Sequence, residues 1–287
     1  MSQNVPPPQG LEPPSEVPSP APADAPQVPP PAAPPGARPP LPPAPAVYAG
    51  DRILAVLEIF FASGLLSNVL ALLLVEALFR VRPEKLAQHP EVMFYFLMAD
   101  TAFMALIIAF FLRQRQERFS DLGFRTRRLG RSVASGLLMV PVLFVITGVG
   151  SYVFKTLLPD YAMSKNPMLE VIQTPRDLAF FLASGVVGGG VREELQRAFV
   201  LTRFQKYLFG AWPGLLLWSA FFGYMHFDLQ GLQGAVITGL LGLCFGMVFL
   251  AQRNIYGPVV GHAVYNTISL LIFWFYSRAA SGGNGGV

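Results

Sequence analysis

The chain of 287 residues holds only three histidines, His89, His226 and His262. His89 lies in a loop and calls for no special role. His226 and His262 sit inside apolar runs, where an ionisable group is costly and usually faces a partner or a cavity. Asn266 follows His262 at i+4, so the two share one helical face. Glu193 and Glu194 stand side by side in a third apolar segment. Two carboxylates, two imidazoles and an amide are what hydrolysis of a peptide bond requires. A carboxylate takes a proton from water, an imidazole shares that task, and donors hold the oxyanion.

Helices in a membrane have to position these groups. The composition is 53% hydrophobic and 13% charged, with a mean hydropathy of +0.46. Soluble domains carry about a quarter charged residues. A soluble enzyme, a nucleic-acid module and a disulfide-stapled secreted domain are therefore excluded. The single cysteine, Cys244, lies in an apolar run and reads as a buried small hydrophobe.

Nineteen of the 27 prolines fall between Pro6 and Pro45. Residues 1–50 read as a disordered, partly polyproline tail with too few hydrophobes to fold. No cleavable signal peptide is expected. Residues 51–276 read as an all-α polytopic membrane domain, a bundle of about seven helices around an intramembrane cavity. Residues 277–287 read as a glycine-rich flexible end. A bilayer core takes about 20 residues. The seven stretches are Ile53–Phe79, Val92–Leu112, Val133–Phe154, a fourth from near Leu178 into Glu193–Arg197, Ala211–Phe227, Leu232–Ala251 and Ile255–Phe275. Glu58, Glu76 and Asp100 lie in the first two and are assigned structural or interfacial roles.

Between Arg113 and Arg131 there are seven arginines against Glu117 and Asp121. Such a loop is the positive-inside signature. It puts the loop and the N-terminus in the cytoplasm and opens the cavity to that side; the expected location is a bacterial inner membrane. Helical rise brings Glu193, His262 and Asn266 to comparable depth. His226 fits only if its helix enters the bilayer near Leu215; entry at Ala211 puts it too deep by a turn.

The ordered set Glu193-Glu194, Phe222-Gly-Tyr-Met-His226 and His262-Ala-Val-Tyr-Asn266 resembles the successive motifs of the CAAX-protease and bacteriocin-processing (CPBP) family. The resemblance covers roughly residues 120–276, including Asp121-Leu-Gly-Phe124. It implies an intramembrane endopeptidase acting on prenylated or membrane-associated proteins and peptides. Glu193 then activates water with His226, and His262 with Asn266 binds the oxyanion. In the family an arginine follows the Glu pair after three residues. Here Arg197 follows after Leu195 and Gln196 alone, within i+4 reach of Glu193. A metalloprotease version has Glu193, His226 and His262 hold zinc, although the HExxH pattern of zincins is absent.

Other readings share these residues. A transporter also carries intramembrane charges but predicts repeated halves and interrupted helices. A non-catalytic scaffold or immunity protein keeps the same fold and tolerates loss of Glu193. No serine in the chain has the setting of a rhomboid-type nucleophile. The expected partners are membrane lipid and a peptide or protein substrate, with no nucleic acid.

Overall fold

The computed structural model describes residues 47–163 and 170–282. The proline-rich tail up to residue 46 and residues 283–287 lie outside the described residues. All regular elements among the described residues are helical: α1 (Ala49–Phe61), α2 (Leu65–Phe79), α3 (Pro90–Gln114), α4 (Leu129–Leu157), α5 (Pro175–Ser184), a π-helical segment (Gly185–Glu193), α6 (Glu194–Tyr207), α7 (Ala211–Tyr224), α8 (Phe227–Gln252) and α9 (Tyr256–Gly282). The helical part thus runs further than the predicted 51–276 at both ends. At the C-terminal end the cause is local. Arg278 stacks over the Trp274 ring at 3.5 Å and donates to the Gln173 carbonyl at 3.0 Å, which ties down turns that glycine content alone would fray.

Among the described residues five helical stretches are long and apolar enough to cross a membrane: Ala49–Phe79, Pro90–Gln114, Leu129–Leu157, Phe227–Gln252 and Tyr256–Ala279. The chain is a multi-pass integral membrane protein. Its outer surface fits that solvent, since Leu138, Val142, Val145, Val149 and Tyr152 form an exposed stripe along α4. That spacing is one face of a helix, here turned to lipid rather than to a core. The fourth and fifth stretches of the seven do not meet the same standard. One carries Arg192, Glu193, Glu194, Arg197 and Arg203; the other, α7, has only 14 residues. The first forms the interior of the bundle, while α7 buries one face through Leu215, Trp218, Ser219 and Phe222 and exposes Trp212, Leu216, Leu217 and Tyr224 on the other. Every residue of α6 from Glu194 to Arg203 is buried.

The first apolar stretch is broken rather than continuous. Gly64 takes φ 106° between α1 and α2, a left-handed conformation that glycine adopts without the Cβ clash. A Cβ there would also stand 2.7 Å from Arg192 Nη2. The break exposes a carbonyl, Ala62 O, which accepts from Gln196 Nε2 at 2.7 Å. The kink therefore docks α1 and α2 onto the helix that carries the glutamates.

At one membrane end, buried charges join α1, α3 and α6. Glu58 accepts from Arg115 at 2.7 Å and pairs with Arg203. Glu117 pairs with Arg203 at 2.5 Å and Lys206 at 2.7 Å. Burial works to raise the Glu117 pKa, but hydrogen bonds from Lys206 and Arg203 outweigh it and hold the carboxyl below its ordinary value. The structural role assigned to Glu58 thus has its partners. Glu76 is exposed near the end of α2. Reporter fusions after Leu112 and after Phe154 flank α4 and should report opposite sides of the membrane; the same side for both would contradict this threading.

Candidate active site

The helix bearing the glutamates starts with a capping box. Thr174 Oγ1 accepts from Asp177 N at 3.1 Å, and Asp177 Oδ2 accepts from Thr174 N at 2.8 Å. After α5 the helix widens into the π-helical segment. Such segments are rare and concentrate at functional sites. Three consecutive glycines make the close approach of α9 possible here. A Cβ on Gly189 would lie 2.2 Å from Asn266 Nδ2 and 3.3 Å from His262 Nε2, and one on Gly190 would lie 2.9 Å from Ala263 Cβ. With no side chains in between, the His262–Asn266 face of α9 rests on the backbone beside Glu193. Asn266 Nδ2 donates to the Gly185 carbonyl at 3.1 Å, which leaves its second amide hydrogen available.

The adjacent glutamates point to different places. Successive helical residues differ by about 100° around the axis. Glu194 turns inward and is 2% exposed, as is fitting for a partner of the fully buried Arg197. The sequence places Arg197 within i+4 reach of Glu193, yet the ion pair forms with Glu194 at i+3. Straight α-helical geometry from Glu194 onward puts that pair on one face. His262 Nδ1 also binds Glu194 Oε1, at 2.8 Å. A carboxylate can only accept, so Nδ1 carries the proton. His262 Nε2 is then directed toward Glu193 Oε2, 3.8 Å away. The imidazole is held flat against Phe245, with ring centroids 4.3 Å apart.

Glu193 instead opens into a cavity of about 170 Å³, and His226 lines the same cavity. The sequence leaves the depth of His226 dependent on where its helix enters; the hairpin of α6 and α7 resolves this. Glu193 precedes Tyr207 by 14 residues and His226 follows Ala211 by 15, so both stand roughly 21–22 Å from the hairpin turn. They meet at one level although α7 begins at Ala211. His226 lies just beyond the end of α7, in the turn before α8. Its Nδ1 lies 2.8 Å from the Phe222 carbonyl, which can only accept. In the neutral ring Nε2 then holds the lone pair and can accept a proton.

Sequence reasoning missed a second set of groups in this cavity. Arg192 Nε pairs with Asp100 Oδ2 at 2.6 Å, and Asn68 Nδ2 donates to Asp100 Oδ1 at 3.4 Å. Arg192, Asp100 and Asn68 line the cavity beside Glu193, together with Ser63, Gln196 and Trp218. An intramembrane aspartate and an arginine beside the glutamates were the available signal. Their pairing across α3 and the π-helical segment is not a local property of the chain.

The predicted zinc set does not assemble. Among the described residues no three His, Cys, Asp or Glu side chains gather so as to hold a metal ion. Of the three, Glu193 and His262 approach each other, with Oε2 and Nε2 3.8 Å apart.

Residues 174–268 match the family model described as Type II CAAX prenyl endopeptidase Rce1-like. The matched segment runs from the Thr174 cap into α9 and takes in Glu193, Glu194, His226, His262 and Asn266. No curated protein and no solved structure matches the chain.

Proposed function

We propose, for a chain whose residues 174–268 form a Rce1-like domain of a protease family, that it is an intramembrane endopeptidase of the CPBP type. It cleaves peptide bonds of membrane-associated or prenylated proteins and peptides with water activated by Glu193 and His226. The observation that carries this reading is the shared cavity of Glu193 and His226, at matched depth in the bundle. In this account Glu193 takes a proton from water, assisted by His226 Nε2, and the hydroxide attacks the scissile carbonyl. The oxyanion is held by Asn266 and by His262, whose ring also donates from Nε2 when protonated there. Glu194 orients that ring and balances its charge, and Arg197 holds Glu194. The proton taken from water then passes to the leaving amine.

The cavity opens toward the cytoplasm of a bacterial inner membrane, following the charge bias of the arginine loop. The bilayer itself and a membrane-anchored peptide are the expected partners. A transporter is less well supported, because the polar groups of α6 and α9 are tied to one another rather than spaced along a path. Comparing fragments in membranes that carry the native protein or a Glu193→Ala variant tests the reading. A peptide fragment that disappears with the variant is expected. Identical fragment sets at equal expression would overturn it. Exhaustive chelation should leave fragment production intact; loss on chelation with recovery on added zinc would contradict the metal-free mechanism.

A further inference from the structure

Three candidate spans end at one corner of the bundle: α4 begins at Leu129, α8 ends at Gln252 and α9 begins at Tyr256. The ends of spans mark a bilayer interface. Between them lies a second cavity of about 130 Å³, lined by Arg127, Arg128, Arg131, Ser132, Gln252 and Asn254. Its uncharged polar groups are already engaged. Ser132 Oγ donates to Gln252 Oε1 at 3.0 Å, and Gln252 Nε2 donates to Ser135 Oγ. Asn254 Nδ2 donates to the Arg125 carbonyl at 2.8 Å, and Asn254 Oδ1 accepts from Tyr256 N at 2.9 Å.

The three arginines are different. Arg127, Arg128 and Arg131 are exposed, and among the described residues none of their side chains makes a hydrogen bond or an ion pair. The acids of the same loop are occupied elsewhere, Glu117 with Arg203 and Lys206, and Asp121 with the Arg118 amide. Arg125 and Arg253 add further positive charge nearby. Burial and the neighbouring Arg125 hold the Arg253 pKa below its ordinary value.

The backbone points the same way. Arg128 occupies the N-cap of α4 without a side-chain cap, and the first turn contains no acid. Leu129 N donates to the Thr126 carbonyl at 3.0 Å, while the amides of Gly130 and Arg131 that follow have no intrahelical partner and carry partial positive charge. Gly130 leaves open space where a side chain would stand, so these amides are approachable. Uncompensated guanidinium groups, a cavity and bare amides at a membrane interface together suit a phosphate oxyanion.

We propose that this corner binds the phosphate of an anionic phospholipid headgroup. The acyl chains would lie along the exposed apolar stripe of α4, which begins one side of the cavity. Lipid is favoured over a free anion because the cavity sits where the spans end, so a headgroup is present at high local concentration and neighbouring basic residues add to its attraction.

The test is retention of phosphatidylglycerol by the delipidated full-length protein, titrated in detergent and read by native mass spectrometry. Saturable binding is expected, with phosphatidylcholine bound far more weakly. Arg131→Gln should weaken it about fivefold, and the triple variant R127Q/R128Q/R131Q by ~10²-fold. A charge-matched triple variant at exposed arginines of the same membrane face, R52Q/R113Q/R118Q, should bind as the native protein does, with thermal unfolding confirming that all variants fold. Equal weakening in the two triple variants would show diffuse charge attraction and overturn the site. Unchanged binding in R127Q/R128Q/R131Q would also overturn it. Displacement of the lipid by low millimolar inorganic phosphate would overturn the lipid assignment in favour of a free-anion site.

Discussion

Replacing Glu193 by Gln is expected to lower turnover by ~10²–10⁴, the usual worth of general-base catalysis, with substrate affinity nearly unchanged. Glutamine keeps the shape of the side chain and its contact with the cavity but cannot take a proton. The interaction it loses acts mainly in the transition state, so binding survives. Folding should survive too, because Glu193 faces the cavity and, among the described residues, its nearest ion-pair partner, His262 Nε2, is 3.8 Å away. Glu194→Gln should behave differently. That side chain is buried against Arg197 and His262, so its loss acts on stability and on the orientation of His262. Single-turnover cleavage and substrate binding, measured side by side, separate the two. Near-native turnover in Glu193→Gln, with Glu194→Gln dead and stably folded, would reverse the assignment within the pair.

The largest expected effect on stability comes from Arg197→Met. Arg197 is fully buried and its guanidinium satisfies the carboxylate of Glu194. It also lies over the rings of Phe222 and Phe245, at 4.7 and 5.5 Å from their centroids. Methionine roughly fills the space but leaves the Glu194 charge with His262 alone. Removing one partner of a buried pair costs about 3–5 kcal/mol, because the other charge stays desolvated. The double variant Arg197→Met/Glu194→Gln removes the charge as well and should recover much of that loss. Thermal or denaturant unfolding in detergent measures both. A single variant as stable as the native protein would show that the buried Glu194 carboxylate does not depend on Arg197.

Much of this was readable from residue types. The runs Val92–Leu112 and Val133–Phe154 fall inside α3 and α4, because uninterrupted apolar sequence has few alternatives in a bilayer. The order of Glu193, His226, His262 and Asn266 on separate segments led to the family that the segment 174–268 matches. Hydropathy did not reveal the break at Gly64, since a single residue at positive φ barely alters the apolar average. The π-helical segment was also hidden; its three glycines signalled close packing, but not the widened turn. Which of two adjacent glutamates meets water depends on the rotation of α6 in the bundle, set by contacts with α9. Asp100 and Arg192 required the same three-dimensional information, because their pairing joins distant parts of the chain. The depth conflict at His226 arose from counting each helix from an assumed entry point. Counting both from the turn of the α6–α7 hairpin removes it.

The central claim is that the chain itself hydrolyses peptide bonds with Glu193 as base. The most direct measurement reconstitutes purified full-length protein in liposomes with the parent of a fragment found in native membranes, and identifies the new termini by mass spectrometry. The account predicts that the native protein regenerates the same cut, with or without chelator, while Glu193→Gln makes it ~10²–10⁴ times more slowly. Equal cleavage by the native protein and the Glu193→Gln variant, or no cleavage by folded native protein of a substrate that its membranes process, would contradict it.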